Sequence, residues 1–176
     1  ADGIARSVSD IDLLEQVGFD TNQTEVAQPA ISMTNATWLE RLRRCGIVPQ
    51  SVAGHSLGEL SAFYAAGAMD FDTLIRVASA RGQLMAANPE RPGTMAYVRC
   101  DRDRAEDLIT EIDGYVTIAN INAPDQTVVS GETEAVTALV EGAGRHGIKA
   151  GLLPVSNAFH SDLMKVAAEE MREVLE

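Results

Sequence analysis

Apolar positions follow two different rhythms along this chain, and the change comes at Asn88, Pro89, Pro92 and Gly93. Before that break the spacing is mostly helical. Ile31, Trp38, Leu39, Leu42 and Cys45 continue a helix that Pro29 suits as a first-turn residue and Gly46 can end. The short apolar run Ile47 to Ala53 reads as a strand. A helix-like stretch follows from Leu57 to about Ala66, and another from an N-cap at Asp70 to about Ala87. Residues 1–26 are polar and weakly periodic, with one short amphipathic piece around Ile11 to Val17.

After the break, strands and helices alternate. Thr94 to Cys100, Tyr115 to Asn120, Thr127 to Ser130 and Ile148 to Val155 read as strands. Arg102 to Ile112 and Glu132 to His146 read as helices. The order β-α-β-β-α-β is the ferredoxin-like pattern, which forms a compact unit alone. A last helix is expected from Asp162 onward, capped by Ser161, with Leu163, Val166, Ala167, Met171 and Val174 on one face. The fold class is therefore α/β. Residues 1–92 are expected to be part of a large α/β subdomain, 93–155 a small inserted subdomain, and 156–176 a return to the large one.

Composition narrows the function classes. Of 176 residues, 45% are hydrophobic, enough for a sizeable core. The formal net charge of −12 argues against a nucleic-acid binder, whose footprint would be basic. A polyanionic substrate would need a local basic patch, such as Arg41, Arg43 and Arg44 or Arg145 and Lys149, but a solvated helix face is the favoured explanation of these. Two distant cysteines, Cys45 and Cys100, fit no metal spacing and suit a reduced, cytoplasmic protein. No stretch is long and apolar enough to span a membrane, and no signal peptide is visible. The absence of an initiating Met suggests an excised piece of a longer chain.

Chemistry concentrates at Gly54-His55-Ser56-Leu57-Gly58. Apolar run, sharp turn and helix with a serine at the apex describe a nucleophile elbow. Glycines on both flanks are expected because a Cβ there would clash where strand and helix approach. Leu57 N–H, at the helix start, is aimed toward charge developing on an attacked carbonyl. The motif alone is only moderately specific. Serine needs a base. His55 adjoins it and leaves the turn in another direction. His146, at a helix C-terminus, is explained as a solvated histidine. His160 lies in a loop between strand and helix, as either a base or a helix-entry residue bonded to backbone. Arg81 falls in the middle of the apolar stripe of Leu74, Val77, Ala78, Leu84 and Met85. An inward guanidinium is costly unless paired. A structural ion pair and a clamp for a substrate carboxylate both satisfy that condition.

Gln28-Pro29-Ala30, Gly54-His55-Ser56-Leu57-Gly58-Glu59, Arg81-Gly82-Gln83-Leu84-Met85, Asn120-Ile121-Asn122-Ala123-Pro124 and Phe159-His160-Ser161 occur in that order. Together they resemble the malonyl-CoA:acyl-carrier-protein transacylases, the acyltransferase domains of fatty acid and polyketide synthases. The likeness runs from about Thr24 to the C-terminus. It implies an α/β-hydrolase-like core, incomplete here, with an inserted ferredoxin-like subdomain. It implies Ser56 as the acylated nucleophile, His160 as general base oriented by a backbone or amide oxygen, and Leu57 as oxyanion donor. Arg81 would hold a malonyl carboxylate, with His55 lining the pocket and Asn120 a further site candidate. Asn157-Ala158-Phe159-His160 is similar to the pattern that accompanies malonyl choice, and Phe159 would fill the space of an α-methyl group. The resemblance further implies malonyl-CoA as substrate and a carrier protein's phosphopantetheine as acceptor. No metal or redox cofactor is implied. A Gly-Gln-Gly stretch and a later glutamine-bearing segment of the family pattern are not in this sequence, so the piece alone is expected to be nearly inactive.

Two rival readings remain at this level. A serine esterase or thioesterase would use the same elbow and an acid to orient histidine, and Asp101, Asp113 and Asp125 lie in the right order. A general esterase, however, has no use for an inward Arg81. A non-catalytic docking fragment is the second rival.

Overall fold

The computed structural model describes residues 23–87 and 92–176. The expected amphipathic piece at 11–17 and the break residues 88–91 lie outside them. The chain is a mixed α/β protein that divides into two units, one comprising 23–86 with 170–176 and the other 87–169.

The first unit is built on helices α1 (Thr24–Arg44), α2 (Leu57–Ala65) and α3 (Phe71–Ala86). α1 begins at Thr24, so Pro29 lies inside the helix and not in its first turn. An interior proline forfeits one hydrogen bond and crowds a preceding carbonyl, at a cost of about 3 kcal/mol. Burial of Val26, Ala27, Gln28 and Pro29 itself, in the part of α1 that packs on α3, outweighs that cost. Gly82 of α3 permits the approach. A Cβ there would stand 2.9 Å from both Glu25 Cα and the Thr24 carbonyl oxygen. At the other end, Gly46 stops α1 with φ at 79°, as its position suggests. Asp70 caps α3, its Oδ1 accepting from Thr73 N–H at 2.8 Å.

The expected strand at 47–53 does not form a ladder among the described residues. Ile47, Val48 and Val52 are exposed. A strand is defined by its neighbours, and this run has the composition of a buried strand without a described partner.

In the second unit, β1 (Gly93–Val98), β2 (Val116–Ala123), β3 (Gln126–Glu132) and β4 (Ala150–Leu152) form one sheet in the order β2-β3-β1-β4. All its pairings are antiparallel. Helices α4 (Arg102–Thr110) and α5 (Thr133–Arg145) supply Leu108, Val136 and Leu139 to a core with Ala96, Val98 and Val129 of the strands. These strand residues alternate with Met95 and Val128, which are buried on the opposite face. β4 is shorter than expected. Leu153 N–H still reaches the Met95 carbonyl, but Val155 N–H turns back onto Leu153, which ends the ladder.

The C-terminal helix begins as a 3-10 turn, Asp162–Met164, and continues as α6 (Lys165–Leu175). Ser161 caps the turn, accepting from Leu163 N–H at 3.3 Å. The apolar face expected there is only partly covered: Leu163, Ala167 and Met171 are half-buried, while Val166 and Val174 are exposed.

Candidate active site

Ser56 sits at the N-cap of α2 with φ 53° and ψ −112°. An L-residue held in that region costs about 1–3 kcal/mol and persists only where its surroundings impose it. The imposition is visible. Gly58 N–H donates to the His55 carbonyl at 2.9 Å, and Glu59 N–H to the Ser56 carbonyl at 3.0 Å. A Cβ on Gly54 would overlap the backbone of Gly58 and Glu59, so only glycine fits there. Gly58 differs from expectation, since a Cβ at that position meets nothing within 4 Å. The steric demand falls on one flank of the serine. His55 is exposed in the turn, and Leu57 opens α2 half-buried.

Arg81 reaches this serine from α3. Its Nη2 donates to Ser56 Oγ at 3.0 Å, and its Nη1 donates to Gln28 Oε1 at 2.6 Å. The guanidinium is half-buried, and both partners are neutral. Burial pushes its pKa down, while the negative charge of Glu59 acts in the opposite direction. Arginine remains charged under these conditions. Among the described residues, Arg81 makes no structural ion pair of the kind that would explain an inward arginine. Gln28 was visible in the sequence only as part of a motif. Its signal as a site residue is that it is 4% exposed on α1, although it is polar.

The second unit holds the other candidates. His160 is exposed and has φ 59°. Among the described residues, Ser56 and His160 are the two non-glycine positions with positive φ. The loop around His160 is pinned. Phe159 N–H donates to the Asn157 carbonyl at 3.0 Å and Ser161 Oγ to the Ala158 carbonyl at 2.6 Å. Asp162 N–H donates to Tyr115 Oη at 2.9 Å. Asn157 and Ala158 are buried, while Phe159 is half-buried. Asn120 lies on edge strand β2 beside a register shift and lines an open groove between β2 and α4.

Other sequence candidates take different roles. His146 Nε2 stands 3.2 Å from Glu111 Oε2, so this histidine has an acidic neighbour where plain solvation was expected. Asp101 caps α4, its Oδ1 accepting from Arg104 N–H at 2.9 Å, while Asp113 and Asp125 are exposed. Cys100 is half-buried, and burial raises its thiol pKa, a setting that favours an inert cysteine. Among the described residues no helix is long and apolar enough to cross a membrane.

Comparison with known proteins brings these elements under one family. Residues 4–176 match the acyl transferase domain family. The chain is 42% identical over 156 residues to the malonyl CoA-acyl carrier protein transacylase of Bacillus subtilis, covering 85% of this chain and 49% of that protein. It is 40% identical over 153 residues to a type I polyketide synthase of phenolphthiocerol synthesis from Mycobacterium marinum, covering 87% of this chain and 7% of that one. The crystal structure of FabD from Acinetobacter baumannii superposes with a TM-score of 0.89 at 33% identity, covering 99% of this chain and 58% of that chain. The chain thus spans about half the length of the Bacillus transacylase. On the family match and these likenesses, the chain belongs to the acyl transferase domain family.

Proposed function

We propose that this chain is the nucleophile-bearing portion of a malonyl-specific acyltransferase, which moves a malonyl group from coenzyme A to the phosphopantetheine thiol of an acyl carrier protein in polyketide or fatty acid biosynthesis. The observation that carries the reading is the guanidinium of Arg81 bonded to Ser56 Oγ and Gln28 Oε1, both neutral partners among the described residues. A half-buried cation beside a nucleophile is matched by an acyl group that ends in a carboxylate, which arginine grips through two parallel hydrogen bonds. The elbow backbone and the relatives named as malonyl transacylases support the same reading. In architecture, residues 1–92 and 156–176 belong to a hydrolase-like core, and 93–155 form a ferredoxin-like insert. The strand order β2-β3-β1-β4 supports the insert.

The reaction is ping-pong. Ser56 Oγ attacks the malonyl thioester carbonyl while His160 takes the hydroxyl proton. The carbon–sulfur bond breaks, and the coenzyme A thiolate leaves with that proton. The malonyl ester then waits on Ser56. The phosphopantetheine thiol attacks it, again losing its proton to His160, and Ser56 departs reprotonated. Leu57 N–H stabilises the oxyanion in both steps. Support for that role is its place at the first helical position, where the turn bonds use the N–H groups of Gly58 and Glu59. Arg81 holds the malonyl carboxylate throughout. His55 and Phe159 line the acyl pocket, Phe159 against an α-methyl group, and Asn120 contributes from the insert. Acetyl is rejected because it leaves the charge of Arg81 unanswered, a discrimination of up to about 10⁴-fold.

The test follows malonyl-CoA consumption by the intact protein with and without a phosphopantetheinylated carrier protein. The proposal expects malonyl-carrier product, with consumption slowing to a single acylation per site when the carrier is omitted. Free malonate produced at full speed without a carrier would replace it with the hydrolase reading.

A further inference from the structure

Gln28 is buried on α1, and every polar atom of its amide is used. Oε1 accepts from Arg81 Nη1 at 2.6 Å. Nε2 donates to Thr24 Oγ1 at 2.8 Å and lies 3.4 Å from Met85 Sδ, also as donor. The direction of the amide is fixed by chemistry. A guanidinium has no acceptor, so only the amide oxygen can face it, and the hydroxyl and thioether on the other side both accept. Thr24 lies one helical turn before Gln28 on α1, and Met85 one turn after Arg81 on α3. The two helices thereby hold one amide between them with its oxygen toward the arginine.

The neutrality of that holder matters as much as its direction. A glutamate at this position would fit the same space and accept from the same Nη1, but it would supply the negative charge that Arg81 otherwise takes from its acyl group. We propose that Gln28 is a positioning and specificity-determining residue: it orients the Arg81 guanidinium while leaving the positive charge available for a substrate carboxylate. Malonyl choice then depends on an amide, and not an acid, at position 28. This inference rests on the acyltransferase reading above and deepens it.

Support comes from geometry beside the amide. Gly82, next to Arg81, is the position whose missing Cβ lets α1 approach. The residue adjoining the arginine thus admits the helix that carries its holder.

The experiment uses the intact protein, wild type and Gln28→Glu, with malonyl-CoA and acetyl-CoA supplied separately. It measures the covalent acyl adduct by mass, initial transfer rates over substrate concentration, and melting temperature. Gln28→Glu is expected to lower the malonyl-to-acetyl ratio of kcat/KM by about 10²-fold, because the charge the site offers to a carboxylate is cancelled. Acetyl transfer is retained or rises. General damage to the fold would lower both activities together and leave the ratio unmoved. Thr24→Val supplies a milder second arm should Gln28→Glu fold poorly. Losing one anchor loosens the hold of the amide oxygen on Arg81, and the ratio is expected to fall about fivefold. A wild-type ratio in a folded Gln28→Glu protein overturns the inference and leaves the acyltransferase reading standing, as does a wild-type ratio in Thr24→Val. Failure of wild type to take a malonyl adduct overturns both.

Discussion

Glycine relaxes a positive φ and alanine does not, so two substitutions at Ser56 separate the backbone strain of the elbow from its chemistry. Both remove the hydroxyl. Ser56→Gly is expected to be about 1 kcal/mol more stable than Ser56→Ala in chemical denaturation, since the strain at φ 53° disappears only in the glycine variant. Equal stabilities would mean that the turn stores no strain. Arg81→Ala is expected to lose malonyl transfer while retaining or gaining acetyl transfer, because a neutral acyl group no longer leaves a half-buried charge unpaired. Arg81→Lys falls between, keeping the charge without the two-pronged fork. Equal loss of both activities with a lowered melting temperature contradicts a clamp. At this scale the turn at Ser56 and the inward placement of Arg81 were legible in the sequence. The elbow is a local pattern, and the inward turn of Arg81 follows from helical periodicity. The hydrogen bond from Arg81 to Gln28 was not, because it spans 53 residues and depends on packing that no local pattern encodes.

Elements depend on where neighbours let them form. Gly82→Ala would drive a methyl into the backbone of Thr24 and Glu25. It is expected to cost about 1–3 kcal/mol of stability, as overpacking typically does, and to weaken malonyl transfer by moving Gln28 away from Arg81. Unchanged melting and transfer would show that the α1–α3 seam yields freely. The cap of α3 adds a pH dependence. Hydrogen bonds from Thr73 hold the Asp70 carboxyl below its ordinary value of 3.8. A lowered pKa contributes stability that is present above the unfolded value and lost as pH falls through the folded one. Asp70→Asn keeps a cap without titrating, so its acid unfolding should begin at lower pH than would otherwise follow from its stability near neutrality. An unshifted acid limb would count against this. Helices and strands of the β-α-β-β-α-β segment were legible because their periodicity and flanking turns agree. The run at 47–53 and the full length of β4 were not. Apolar composition registers a capacity for strand, while pairing decides whether one exists. Pro29 misled for a related reason: its local preference for a first turn lost to burial of the residues before it.

Across the whole molecule, the candidate residues fall in both units, with Ser56, Arg81 and Gln28 in one and Asn120, Phe159 and His160 in the other. The net charge of −12 carried no information about acyl choice. In the proposed reading that information resides in a few atoms around one serine. The most direct test is intact mass of the full-length protein after exposure to malonyl-CoA, acetyl-CoA or both, with Ser56→Ala as control. The account predicts a single malonyl adduct on Ser56, formed in preference to acetyl when both are present and absent from Ser56→Ala. An adduct that persists in Ser56→Ala, or equal labelling by the two acyl groups, would contradict it.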